Sequence, residues 1–78
     1  MSSQMSAIAI AEPEYAPGRL VLFRVDSANQ EPYVWCGRSI GWRPLKHTAS
    51  MFFRLYLSEE DAAQAANKYV SFPLLERL

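Results

Sequence analysis

The sequence predicts an α+β fold, a three- to four-stranded antiparallel sheet packed by one α-helix in the C-terminal half, in the order β-β-β-α-β or a near variant. Two observations carry that expectation. Residues 19–39 hold two runs rich in β-branched and aromatic side chains, separated by a short polar stretch, which is how a hairpin reads. After Ser58 come three acidic residues and then alanines, the signature of a capped helix.

In chain order, residues 1–6 show no periodicity and are expected to fray. Residues 12–18 carry two prolines and a glycine and read as a loop. Residues 1–18 are therefore expected as a flexible N-terminal segment, in which Ile8 and Ile10, alternating with alanines, can supply one short edge strand. A single domain is expected over 19–78. Its first strand covers 19–26, with Val21, Phe23 and Val25 on one face. A polar turn at 27–32 leads to the return strand, 33–39, and a connection this short makes the pair antiparallel.

Residues 41–47 are punctuated by Gly41 and Pro44 and read as a loop that nevertheless carries Trp42. That ring either folds over the sheet as part of the core or stands out as a contact residue. The apolar run 50–57 is expected to be a third strand, its aromatics favouring strand over helix. Ser58 caps a helix over 59–70, with Glu59, Glu60 and Asp61 at the positive end of its dipole. Ala62, Ala65, Ala66 and Tyr69 form a stripe facing the sheet, while Gln64, Asn67 and Lys68 face water. Pro73 ends the helix, and residues 74–78 are expected to add a last edge strand.

Eight basic and eight acidic side chains cancel, so no global field draws the protein to nucleic acid or an anionic membrane. One cysteine, Cys36, makes no internal disulfide, which points to a reducing compartment. The N-terminus has no basic region, and its apolar stretch at 7–11 is too short for a signal peptide or a membrane span. The expected location is cytoplasmic, with no membrane partner.

Reactive side chains are few. Cys36 and His47 form the one Cys–His pair on offer, and a mid-strand cysteine is usually a small buried hydrophobe. One Cys and one His do not make a zinc set, and the consecutive acids at 59–61 point in different directions. Gly37 and Gly41 lack the rest of a phosphate-binding loop. The expectation is a non-enzyme with no catalytic residue, no metal and no cofactor.

One asymmetry stands out. Between Pro32 and Ser58 there is no acidic residue, whereas Arg38, Arg43, Lys46 and Arg54 alternate with aromatic side chains. Core packing with a solvated face accounts for much of such a pattern. Protein interfaces use the same residue types, and so do single-stranded nucleic-acid surfaces, with cations for phosphates and rings for stacking. The leading expectation is a protein-binding surface made by Arg38, Trp42, Arg43, Lys46, His47 and Arg54. Binding of single-stranded nucleic acid by the same segment is the alternative, and a homodimer formed through the 74–78 edge is a third reading.

The order Tyr33-Val34-Trp35, Gly41-Trp42, Ala49 with Phe52, and Ser58-Glu59-Glu60-Asp61-Ala62 resembles a pattern of small accessory proteins of phages and prophages. In those proteins a hairpin is followed by a Gly-Trp turn, an Ala-x-x-Phe segment and a capped helix. The resemblance covers about half the chain and implies a fold and a genomic setting. Proteins of this kind include stoichiometric inhibitors of host machinery, such as anti-CRISPR and other anti-defence proteins. It therefore implies a bacterial host protein or defence complex as partner, and it transfers no binding residue.

Overall fold

The computed structural model describes residues 8–27 and 30–70. It contains four strands, β1 (Ile8–Ala11), β2 (Val21–Val25), β3 (Pro32–Trp35) and β4 (Trp42–Pro44), then two short 3-10 turns (Leu45–His47 and Ser50–Phe52), and one helix, α1 (Glu59–Tyr69). The strands form one antiparallel sheet in the order β1-β2-β3-β4. This is the α+β architecture expected, in the variant β-β-β-β-α.

The register sorts the side chains. Arg24 lies opposite Tyr33, and Trp35 opposite Trp42, so these residues share one face with Leu22. Helix α1 covers that face with Ala62, Ala65 and Tyr69, the small-residue stripe letting the helix axis approach closely. Trp35 stacks on Tyr69 at 4.4 Å between ring centroids and lies 5.1 Å from Trp42. On the opposite face Val21, Val34 and Cys36 are buried beneath Phe23, Leu45, Phe53 and Leu55. Both faces are thus covered, one by the helix and the other in part by the irregular chain between β4 and α1.

The sheet begins at Ile8, ahead of the loop at 12–18, and β1 takes the edge position expected of it. That loop is tied down: the Gly18 N–H donates to Glu12 Oε2 at 2.8 Å, and Tyr15 meets Phe53 edge-on at 6.2 Å. The return strand is shorter than expected and stops at Trp35. Gly37 and Gly41, at φ 99° and 87°, bend the chain back, with Cys36 N–H donating to Gly41 O at 3.0 Å. The expected loop at 41–47 opens instead with strand β4, which carries Trp42 and ends at Pro44. Proline is tolerated there because β4 is an edge of the sheet among the described residues, with no strand beside it to need its N–H.

The expected third strand at 50–57 is not one. Ser50–Phe52 makes a 3-10 turn, and the chain then crosses the end of the sheet. It is held by Arg54 N–H to Trp35 O at 3.0 Å and by a single bridge, Leu20 with Tyr56, at 2.8 Å in both directions. The 3-10 turn sets the two adjacent phenylalanines apart: Phe53 tucks in, edge-on to Phe23 at 6.3 Å, while Phe52 is left outside.

The helix starts where the sequence places it. Ser58 Oγ accepts the Asp61 N–H at 3.1 Å, and the three acids occupy the first turn. The expected edge strand at 74–78 and the fraying segment at 1–6 lie outside the described residues. Among the described residues no helix is long and apolar enough to cross a membrane.

Candidate functional site

The six residues expected to make contacts fall into four environments. Trp42 is fully buried, packed between Trp35 and the Arg24 guanidinium, whose Cζ lies 5.2 Å from the indole centroid. A partner cannot reach that ring without unfolding β4, so its place is in the core and it leaves the contact set. Its neighbour Arg43, one residue on, points to the opposite face.

Arg43 and His47 come together. With Ile40, Thr48, Ala49 and Phe52 they line a pocket of about 200 Å³ beside β4. Thr48 donates from Oγ1 to Pro44 O at 2.7 Å, which fixes the turn that presents His47. Lys46 lies between them in sequence but pairs with Glu31 at 2.8 Å, an exposed ion pair that contributes about 0–1 kcal/mol. Arg38 and Arg54 belong to a different surface, a broader groove that they share with Lys68 and the outer flank of α1. The basic and aromatic segment therefore makes two surfaces instead of one.

Sequence reasoning missed the apolar part of the first surface. Ile40 is 41% exposed, Phe52 52% and Met51 80%. Ile40 and Phe52 line the pocket, and Met51 adjoins Phe52 on the same 3-10 turn. The signal was the Met51-Phe52-Phe53 triplet, which assigned to a strand hid the question of which ring stays outside. Also unforeseen is Arg24, a buried cation in the middle of β2. Its Nη1 donates to Val70 O at 3.3 Å, at the C-terminal end of α1, where a positive charge complements the helix dipole. Burial lowers its pKa and Asp26 pulls the other way.

Cys36 and His47, the pair considered for nucleophilic chemistry, lie in different surroundings. The Cys36 thiol is buried against Val21 and Val34 and faces the Val34 carbonyl at 3.8 Å. Burial pushes its pKa up, and Arg43 opposes this weakly, so the thiol is less nucleophilic than a free one. His47 is exposed on its turn. Among the described residues no three His, Cys, Asp or Glu side chains gather as a metal site would require.

Comparison with known proteins returns no family model that matches the chain, no curated protein and no solved structure.

Proposed function

We propose that the chain is a non-enzymatic protein-binding module that acts in the cytoplasm as a phage-type inhibitor of a bacterial host protein or defence complex. The observation that carries the binding role is the exposed apolar group of Ile40, Met51 and Phe52, set beside Arg43 and His47 at the mouth of a small pocket. Aromatic side chains, Met and Arg are the residues enriched at protein interfaces, and an apolar centre with a polar rim is the usual anatomy. The phage setting rests on the resemblance of the hairpin, Gly-Trp and capped-helix motifs to accessory proteins of that kind.

The alternative, binding of single-stranded nucleic acid, needs rings available for stacking. Tyr33, Trp35 and Trp42, central to the basic and aromatic segment, are buried, which favours the protein-binding reading.

Affinity capture from bacterial lysate with the wild-type chain and with Met51→Ala/Phe52→Ala tests the proposal. Both side chains project from the surface, so the fold survives their removal. The expected outcome is a stoichiometric partner whose capture falls by about thirtyfold, the loss of ~2 kcal/mol typical of a hot spot. Undiminished capture by the double variant, with an unchanged circular dichroism spectrum, would sink the assignment.

A further inference from the structure

The groove that holds Arg38 and Arg54 has a chemistry of its own. It measures about 900 Å³ and runs between the turn at 37–39, the crossing segment at 54–57 and the exposed flank of α1. Three cations line it, Arg38, Arg54 and Lys68, against one carboxylate, Asp61. None of the three cations pairs with a carboxylate among the described residues, where the ion pair found is Lys46 with Glu31.

Two of the cations are held by rings of the groove itself. Arg54 Cζ lies 5.4 Å from the Tyr56 centroid, and Lys68 Nζ lies 5.8 Å from that of Tyr69. A cation resting on a ring face keeps its remaining N–H groups free for an anion while its side chain loses less freedom on binding. Trp35 and Tyr69 form the buried floor, and the half-buried Tyr56 ring already carries the Arg54 guanidinium, so the groove offers mainly charge at its rim. Leu57, 68% exposed, adds an apolar ledge.

We infer that this groove binds an extended acidic segment of a partner protein, its carboxylates engaging Arg38, Arg54 and Lys68 and an apolar side chain resting on Leu57. The occupant is set by charge complementarity: a groove whose lining holds three cations and one carboxylate selects anionic chains and repels basic ones. With Trp35 and Tyr69 buried and the Tyr56 ring engaged by Arg54, the groove favours carboxylates on a peptide over a nucleic-acid strand, whose affinity leans on stacking. The groove shares no residue with the pocket of Arg43 and His47, so it adds a second surface to the proposed binding module and stands or falls separately.

Fluorescence anisotropy of the full chain with a dye-labelled oligoglutamate carrying one central leucine tests this directly. A probe of about eight residues, extended, spans a little under 30 Å, comparable to the 26 Å width of the molecule. Saturable binding is expected at low salt, weakening as salt screens the charges. Arg38→Glu and Lys68→Glu each weaken it by about fivefold or more, and the double variant by about thirtyfold. Arg19→Gln, at an exposed residue that lines neither the groove nor the pocket, changes it by less than about twofold. Lys68→Gln supplies a milder second variant should a charge reversal perturb the fold by circular dichroism. No saturable binding by the wild type, equal binding by the double variant, or tighter binding of an oligothymidylate of similar length would each overturn the inference.

Discussion

Replacing Trp42 by alanine separates a core ring from a contact ring. The side chain is fully buried, 5.1 Å from the Trp35 ring and beneath the Arg24 guanidinium. Truncating a buried tryptophan to alanine removes its transfer free energy and leaves a cavity that the surroundings only partly fill, at a cost of about 3–5 kcal/mol. A domain of 78 residues holds about 4–12 kcal/mol in all, at roughly 0.05–0.15 kcal/mol per residue. The substitution therefore removes between a quarter of the stability and all of it. Far-UV circular dichroism in urea is the suitable assay, because Trp42 is itself one of the two fluorophores. With an m value near 1 kcal/mol/M, as suits a domain this small, a loss of 3 kcal/mol moves the midpoint by about 3 M. Trp42→Phe keeps a ring against Trp35 and costs about 1–2 kcal/mol. A loss below about 1 kcal/mol for the alanine variant would refute the core placement, and abolished partner capture alongside it would return Trp42 to the contact surface.

The other predictions concern the helix start and the buried thiol. Ser58→Ala removes the acceptor for the Asp61 N–H and is expected to cost about 1 kcal/mol in a urea titration, while Ser58→Asp restores most of it. Burial raises the Cys36 pKa above the ordinary 9.0, so between that value and the folded-state value the unfolded chain has lost a proton that the folded chain keeps. Stability is therefore unaffected by this group below pH 9.0 and falls as pH rises beyond it. Tyr15, raised by burial from 10.0, adds a decline at higher pH. Urea midpoints measured from neutral pH upward check the sign, and Cys36→Ala flattens the first part of the decline; a midpoint that climbs above pH 9.0 contradicts the burial of the thiol.

The helix and the central hairpin were legible because local signals and tertiary needs agree there. Ser58 caps, the acids follow, and the Ala62, Ala65 and Tyr69 spacing meets the sheet as a helical stripe should. The β1 edge was legible for the same reason, since Ile8 and Ile10 alternate with alanine. β4 was hidden because Gly41 and Pro44 punctuate it, and turn residues outweigh a three-residue strand in any local reading. The third strand was misplaced because an apolar run of that length satisfies strand, helix or crossing segment equally, and only the position of Leu20 and Trp35 decides. The candidate contacts suffered from the same gap: charge was visible in sequence, but exposure depends on which face the register assigns. Ile40, Met51 and Phe52 look like core residues until the chain around them is placed.

That register also explains why the interleaving of cations and rings between residues 33 and 56 misleads. Successive residues of a strand point to opposite faces, so Trp42 goes under the helix while Arg43 goes to the other side of the sheet. Tyr33 and Trp35 follow Trp42 inward, each paired across the β3–β4 ladder. An alternating basic and aromatic sequence in a small sheet is thus what burying one side of each strand produces, with no stacking surface implied. What remains outside after that sorting is a set of cations at two rims, with Met51, Phe52 and Ile40 at one and Leu57 at the other. Cations beside flexible aliphatic, thioether and single aromatic groups suit the mixed acidic and apolar surface of another protein better than the uniform phosphates and flat bases of a nucleic-acid strand.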